Sequence, residues 1–259
     1  MLNQLTATQY IQYSKQILLP EIGETGQIAL LNANVTVVGL GGLGTLVAQY
    51  LAAAGVASLT LIDGDQVERD NLPRQLIYAE SDLTKAKVDV CAMRLSDAYL
   101  DVTIVPVKQM LDVSNVDSLI PNTSKLIIDC TDNLAVRQVI NRFCVNNKKT
   151  LINGAINHGS GQVFCFNFAK HTSAGCYTCF VPLTAKVEQS CATSGVLGPA
   201  VGMIASFQAK IAIEHITESF NQYGQLFRFN VTDNSWVVAN LNRDPACSIC
   251  RHHYLGEAS

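Results

Sequence analysis

The chain has 259 residues, of which 48% are hydrophobic and 15% charged, with a formal net charge of −3. This composition is typical of a globular protein with a buried core, and it lacks the basic footprint of a nucleic-acid-binding protein. The start, MLNQLTATQY, has neither a basic region nor an apolar run, and no Lys/Arg cluster suggests a membrane anchor, so we expect a cytoplasmic protein without nucleic-acid or membrane partners.

The predicted elements begin with two short helices within residues 6–31, joined around Pro20 and Gly23. The next segment, from Val35 to Ile62, contains no charged residue and is long enough to cross a membrane. However, four glycines lie in its first half, and branched residues at both ends flank a stretch rich in leucine and alanine. This sequence pattern predicts a strand at 35–39, a glycine turn, a helix at 43–54 and a strand at 59–62.

The alternation of strand and helix continues along the chain. It predicts a helix at 82–99, strands at 102–107 and 125–130, a helix at 133–146 and a strand at 150–153. After Gly159 the pattern changes, and it predicts a strand at 162–168, a long helix at 197–218 and strands at 226–231 and 236–241. The expected fold is α/β: a Rossmann-like, doubly wound, mostly parallel sheet with an antiparallel extension.

The glycine turn fits G-x-G-x-x-G, with glycines at Gly39, Gly41, Gly42 and Gly44, and Asp63 ends the following strand. Glycine lets the backbone approach phosphates at a helix N-terminus, and a carboxylate at this spacing suits a ribose. The sequence therefore predicts a nucleotide site, with a purely structural glycine turn as the alternative. Which nucleotide binds stays open, because dehydrogenases use the same arrangement.

Charged residues further along favour a triphosphate over a dinucleotide. Arg74 lies in the polar segment after Asp63, Lys87 lies one helix further on, and Asp132 follows the fourth predicted strand. Two cations could neutralise phosphates, and a carboxylate at the end of a parallel strand could hold Mg²⁺. The alternative for each is a solvated surface charge.

Two C-x-x-C pairs, Cys176 with Cys179 and Cys247 with Cys250, lie about 70 residues apart. Two such pairs can complete a tetrahedral zinc site that clamps the C-terminal segment, and four thiolates leave no open position for catalysis. A redox pair is the alternative, although it does not explain the second pair. Of the remaining five cysteines, four are expected in the core and one, Cys191, lies in a polar loop as a candidate nucleophile; the four are Cys91, Cys130, Cys144 and Cys165.

Together these residues resemble the ThiF/MoeB family, bacterial relatives of the ubiquitin-activating enzymes. The resemblance runs in order through YSKQILL, GLGGLGT, NLPRQ, Lys87, DCTDN, CYTC, SCATSGVLGP and CSIC. The motif GLGGLGT, the spacing in DNLAVRQVIN and the cysteine before GVLGP favour the ThiF branch over the MoeB branch.

The resemblance implies an ATP-dependent adenylyltransferase with Mg²⁺ and Zn²⁺. Such an enzyme activates the C-terminal Gly-Gly carboxylate of a small ubiquitin-like sulfur carrier protein as an acyl adenylate and releases pyrophosphate. The resemblance also implies a homodimer, and a sulfurtransferase or cysteine desulfurase as a further partner. It describes residues 1–259 as one unit, with a nucleotide-binding half at 1–155 and a carrier-binding and zinc half at 156–259.

The resemblance implies further site residues besides those predicted from the sequence pattern alone. It implies that Gly42 approaches the nucleotide, that Asp63 holds the ribose and that Asp132 supports Mg²⁺. It places Asn71, Arg74 and Lys87 at phosphates, adds Asp70 and Asn133 beside them, and matches Cys191 to a cysteine that links covalently to the carrier in some members.

Three departures from the family pattern concern the same site. Lys15 stands where the family usually has an arginine that reaches the partner subunit's triphosphate, so the charge is kept and the bidentate fork is lost. Pro73 replaces a side-chain amide beside Arg74, and Asp70 replaces a common serine. Two other functions remain open from the sequence: an NAD-dependent oxidoreductase, suggested by the glycine turn and Asp63, and a non-catalytic relative that binds partners.

Overall fold

The structure is a computed structural model that describes residues 2–157, 159–170, 174–184 and 195–251. Its strands are β1 Asn34–Val38, β2 Ser58–Ile62, β3 Thr103–Val107, β4 Leu126–Asp129, β5 Thr150–Ile156, β6 Ser160–Asn167, β7 Gln225–Asn230 and β8 Ser235–Asn240. The helices within the described ranges are α1 Ala7–Gln12, α2 Ser14–Ile17, α3 Gly23–Leu30, α4 Gly42–Ala54, α5 Lys87–Ala98, α6 Val116–Leu119, α7 Leu134–Asn146, α8 Tyr177–Phe180 and α9 Gly198–Ile216.

The strands form one eight-stranded sheet in the order β3-β2-β1-β4-β5-β6-β7-β8. Neighbours from β3 to β5 pair parallel, and those from β5 to β8 pair antiparallel. The predicted doubly wound sheet with an antiparallel extension is confirmed. The chain leaves β1 towards β2 and β3, then returns to β4 on the other side of β1, so the strand order reverses between β1 and β4.

Hydrophobic residues pack against both faces of the sheet, so the central strands are buried from both sides. Side chains alternate along β1, so Val35 and Val37 face a core shared with α4, α5 and α9, while Val38 faces the opposite core. That second core contains residues of α6 and α7 together with Phe164 and Phe166 of β6. The absence of charge from Val35 to Ile62 follows from this burial. No described helix is both apolar enough and long enough to span a membrane.

Several predicted boundaries were wrong. The helix expected at 82–99 begins at Lys87, because Asp82 ends a short 3₁₀ turn and its buried carboxylate accepts the Ala79 amide and pairs with Arg94 and Lys85. The N-terminal region forms three short helices rather than two, with a break at Tyr13. Helices α6 and α8, of four residues each, were not predicted because such short elements leave no periodic pattern.

Candidate active site

A cavity of about 510 Å³ lies at the carboxyl ends of β1, β2 and β4, where the strand order reverses. Open parallel sheets bind ligands at this position, since the loops on either side of the reversal diverge there. Ten of the residues predicted for the nucleotide line the cavity together: Gly39, Gly41, Gly42, Asp63, Asp70, Asn71, Arg74, Lys87, Asp132 and Asn133.

The glycine turn connects β1 to α4 at the floor of this cavity. Gly39 has φ +86°, which favours glycine, and a Cβ on Gly44 would lie 1.8 Å from the carbonyl oxygen of Gly39. Gly44 therefore serves the close packing of the turn, and it is not among the cavity-lining residues. Gly41 caps α4 without a side chain, so the first amides of the helix stay open to an anion.

Asp63 follows β2 and joins that strand to the glycine turn. Its Oδ2 accepts the Leu40 amide at 2.6 Å, and its Oδ1 accepts the Asp65 amide at 2.7 Å. Burial raises the pKa of this carboxyl, while the two amides and nearby Lys87 act in the opposite direction. Each carboxylate oxygen can accept a further bond, so Asp63 can both hold the turn and accept ribose hydroxyls.

Two cations, Arg74 and Lys87, line the cavity. Lys87 begins α5 and is only 7% exposed, with its Nζ 3.3 Å from Oδ2 of Asp65. Arg74 is half-buried, and its Nη1 donates to the backbone carbonyl of Asp70 at 2.5 Å. Within the described ranges Arg74 has no ion pair, so its charge is available to a bound anion.

The loop after β4 supplies the carboxylate predicted for Mg²⁺. Asp132 is exposed and lines the cavity, whereas Asn133 is the N-cap of α7, with its Oδ1 accepting the amides of Ala135 and Val136. Asn71 also has a structural role. Its Oδ1 accepts the Glu68 amide at 3.3 Å, and its Nδ2 donates to Oδ1 of Asp70 at 2.9 Å. For Asn71 and Asn133, part of the side chain is thus engaged before any ligand binds.

Two further predicted residues lie elsewhere. Lys15 is exposed on α2 and does not line this chain's own cavity. The side chain of its neighbour Gln16 donates to the carbonyl of Ala54, the last residue of α4. This is the opposite end of that helix from the glycine turn. Cys191, the candidate nucleophile, lies outside the described residues.

Sequence reasoning missed several cavity residues, of which three bear on the chemistry of the site. Asp65 pairs with Lys87, a contact that only the fold brings together. Met110 lines the same cavity and packs against Gly64, where nothing in the sequence signals a site. Gln75 is 3% exposed, and its Oε1 has no hydrogen-bond partner among the described residues. Its place directly after Arg74 in NLPRQ was the available signal.

The two C-x-x-C pairs meet as predicted, outside the cavity. The sulfurs of Cys176, Cys179, Cys247 and Cys250 all lie within 4.8 Å of one another. Three of the separations are 4.0, 3.8 and 3.5 Å, close to the roughly 3.8 Å edge of a tetrahedron with Zn–S bonds of about 2.3 Å. The donor set and its size therefore fit Zn²⁺. The four other described cysteines are buried, as expected for core residues.

Comparison with known proteins agrees with this geometry. Residues 13–249 match the ThiF family. The chain is 35% identical over 241 residues to the sulfur carrier protein ThiS adenylyltransferase of Escherichia coli K12, covering 93% of this chain and 95% of that one. It is 36% identical over 249 residues to the molybdopterin-synthase adenylyltransferase of Salmonella typhimurium LT2, covering 95% and 98%.

Among solved structures, the crystal structure of E. coli MccB with ATP superposes with a TM-score of 0.81 at 20% identity, covering 97% of this chain and 77% of that chain. This likeness concerns the fold. The two adenylyltransferases are almost equally similar in sequence, so the preference for the ThiF branch stays a prediction. The chain belongs to the ThiF family.

Proposed function

We propose that this protein is an ATP-dependent adenylyltransferase that activates the C-terminal Gly-Gly carboxylate of a small ubiquitin-like sulfur carrier. A ThiS-like carrier is the preferred substrate in this proposal, and a MoaD-like carrier is the second choice. The observation that carries the proposal is the convergence of Asp63, Arg74, Lys87 and Asp132 on one cavity beside the glycine turn. Relatives that adenylate ThiS or act on molybdopterin synthase support the same reaction class. NAD-dependent oxidoreduction would need neither two cations nor a metal-binding carboxylate, because backbone amides can hold the two linked phosphates of a dinucleotide.

The residues have distinct roles in this reaction. Asp63 accepts the ribose hydroxyls, and the open amides at the start of α4 receive phosphate oxygens. Arg74 and Lys87 neutralise the triphosphate, and Lys87 exchanges its bond with Asp65 for one to phosphate. Asp132 would hold Mg²⁺, which supplies positive charge to the phosphate oxygens when bound, whereas Asn71 would contact phosphates and Asp70 and Asn133 line the same cavity.

The chemistry is a single displacement at the α-phosphorus. A carboxylate oxygen of the carrier's last glycine forms a bond to that phosphorus while the bond to the bridging oxygen breaks, and pyrophosphate leaves with the electron pair. Both reactants are anions, so positioning them together is the main task of the site. Arg74 and Lys87 act where charge accumulates on the departing pyrophosphate, and they stabilise the transition state more than the ground state.

The wider assignment is proposed together with this activity. We propose one unit over residues 1–259, with a nucleotide-binding half at 1–155 and a carrier-binding and Zn²⁺ half at 156–259, acting in the cytoplasm as a homodimer. In that dimer Lys15 would reach the partner subunit's nucleotide. Cys191 would attack the acyl carbon of the adenylate, so that a covalent link to the carrier forms and AMP leaves, and a sulfurtransferase or cysteine desulfurase would be a further partner.

The test is exchange of labelled pyrophosphate into ATP. We expect exchange that depends on Mg²⁺ and on a carrier ending in Gly-Gly, and none with the same carrier lacking its last glycine. Absence of exchange with both ThiS-like and MoaD-like carriers, in a folded and zinc-loaded sample, would overturn the proposal. Tight binding of NAD with no binding of ATP would favour the oxidoreductase, and binding of carrier without exchange would favour the non-catalytic relative.

A further inference from the structure

The inner face of α7 carries three polar residues that are almost fully buried: Arg137, Gln138 and Asn141. Buried polar side chains at successive positions of one helix need partners, and all three find them in other segments. The partners of Gln138 and Asn141 lie in the cysteine segment, defined here as residues 176–181. The carbonyl partners of Arg137 lie beside the candidate active site.

Asn141 and Gln138 hold the cysteine segment. The Oδ1 of Asn141 accepts the Tyr177 amide at 3.0 Å, and its Nδ2 donates to the Cys176 sulfur at 3.5 Å and to the Thr178 hydroxyl at 3.0 Å. Gln138 accepts the Thr178 hydroxyl at 2.6 Å and donates to the Val181 carbonyl at 2.6 Å. The position of α7 is therefore tied to a ligand of the predicted zinc site.

Arg137 extends the connection to the loop that carries Asp132. Its Nε donates to the Thr131 carbonyl at 3.0 Å, its Nη2 also donates to that carbonyl, and Nη2 lies 3.3 Å from the Gly154 carbonyl. Arg137 and Asn141 lie one turn apart on α7, so the side chain that holds Thr131 and the side chain that contacts Cys176 are carried by the same helix. Helix α7 thus contacts both the cysteine segment and the residue immediately before Asp132.

The other side of Thr131 is fixed by Asp129. The Oδ1 of Asp129 accepts the Thr131 amide at 2.9 Å and its hydroxyl at 2.7 Å, and Oδ2 accepts the Asn153 side-chain amide at 2.6 Å. The positive charge of Arg137 offsets this fully buried carboxylate. With its amide bound by Asp129 and its carbonyl bound by Arg137, Thr131 sets the direction in which the chain continues into Asp132.

We propose that Arg137 is a positioning residue that couples the cysteine cluster to the loop 130–133, so that alignment of Asp132 depends on an assembled cysteine cluster. The two ends are joined through Thr131, Arg137, the turn of α7 between Arg137 and Asn141, and Cys176 in turn. The coupling itself stands on these contacts. Its consequence for Mg²⁺ binding at Asp132 rests on the proposed function.

The test is a double-mutant cycle read by hydrogen exchange of the amides in 130–133. Cys247→Ser perturbs the cluster, and Arg137→Gln removes the link. In the otherwise native chain Cys247→Ser should speed hydrogen exchange of the loop amides roughly tenfold. This is the size of effect expected when a buried hydrogen bond to a charged group is weakened. In the Arg137→Gln background the loop already exchanges fast, and Cys247→Ser should add less than about a further twofold.

Equal acceleration by Cys247→Ser in both backgrounds, or none in the native chain, would overturn the coupling. Arg142→Gln is the matched control, since Arg142 lies on the exposed side of the same helix and should leave the full response. Peptides from β1 and β2 should stay protected throughout. Should Arg137→Gln unfold, Thr178→Val removes only the hydroxyl that bonds Gln138 and Asn141 and should shrink the response to Cys247→Ser; an undiminished response contradicts the proposal.

A second readout concerns the site itself. If the native chain catalyses pyrophosphate exchange, Thr178→Val should raise the Mg²⁺ concentration for half-maximal exchange several-fold while the zinc content stays unchanged. A purely structural role would lower the melting temperature without moving the Mg²⁺ requirement. Hydrogen exchange needs neither ATP nor carrier, so failure of the proposed adenylation would leave the coupling measurable by itself.

Discussion

Lys87→Met removes the buried cation of the candidate site and nearly preserves side-chain length. Lys87 Nζ is 3.3 Å from Asp65, but the Asp65 side chain is 55% exposed, so we expect the variant to lose no more than about 1 kcal/mol of stability. The effect on catalysis should be much larger. A charge about 4 Å from a phosphate oxygen contributes about 4 kcal/mol at an effective dielectric constant of about 20, or roughly a thousandfold in rate.

The assay is carrier-dependent pyrophosphate exchange, with thermal unfolding measured on the same samples. Lys85→Met is the matched control, because Lys85 lies two residues earlier and pairs with Asp82 at a similar distance, 3.2 Å, outside the cavity. It should retain full exchange. Exchange by Lys87→Met within threefold of the native rate, with a native-like melting temperature, would refute the assignment of Lys87 to the phosphates.

Three other substitutions test the remaining parts of the site. Asp132→Ala should abolish adenylate formation and leave folding intact, because the side chain is exposed; full activity would remove Asp132 from the metal role. Replacing Cys247 and Cys250 by serine should eliminate bound zinc, measured by elemental analysis, and lower the melting temperature, whereas unchanged metal content would refute the clamp. Gly44→Ala should destabilise the chain by at least about 1 to 3 kcal/mol in urea unfolding, since the new Cβ would lie 1.8 Å from a carbonyl oxygen; native stability would contradict the close approach.

Local signals predicted the strands, the glycine turn and the helix that border the cavity. Gly39 to Gly44 mark a strand-turn-helix unit whose geometry is set within a few residues, and Asp63 ends the next strand at a fixed distance along the chain. Arg74, Lys87 and Asp132 could be combined because parallel strands bring their carboxyl ends to one edge of the sheet. The four cysteines could be predicted as one cluster because a tetrahedral Cys₄ zinc site needs both C-x-x-C pairs.

Other features depend on contacts that no local pattern encodes. The start of α5 at Lys87 results from the buried Asp82 and its pairing with Arg94, twelve residues away. Lys87 acquires its partner Asp65 only when the segment before α5 folds back along the end of β2. Arg137 reads as an ordinary helix residue in the sequence. Its proposed role follows from hydrogen bonds to Thr131 and Gly154, which lie in separate segments of the chain.

The most direct test of the proposed activity is the intact mass of the carrier after incubation with the protein and Mg²⁺·ATP. We predict that a carrier ending in Gly-Gly gains the mass of one adenylyl group, and that hydroxylamine converts the adduct to a hydroxamate at the last glycine. The carrier without that glycine should gain nothing. A folded, ATP-binding sample that leaves every Gly-Gly carrier at its original mass, and yields no hydroxamate, would contradict the account.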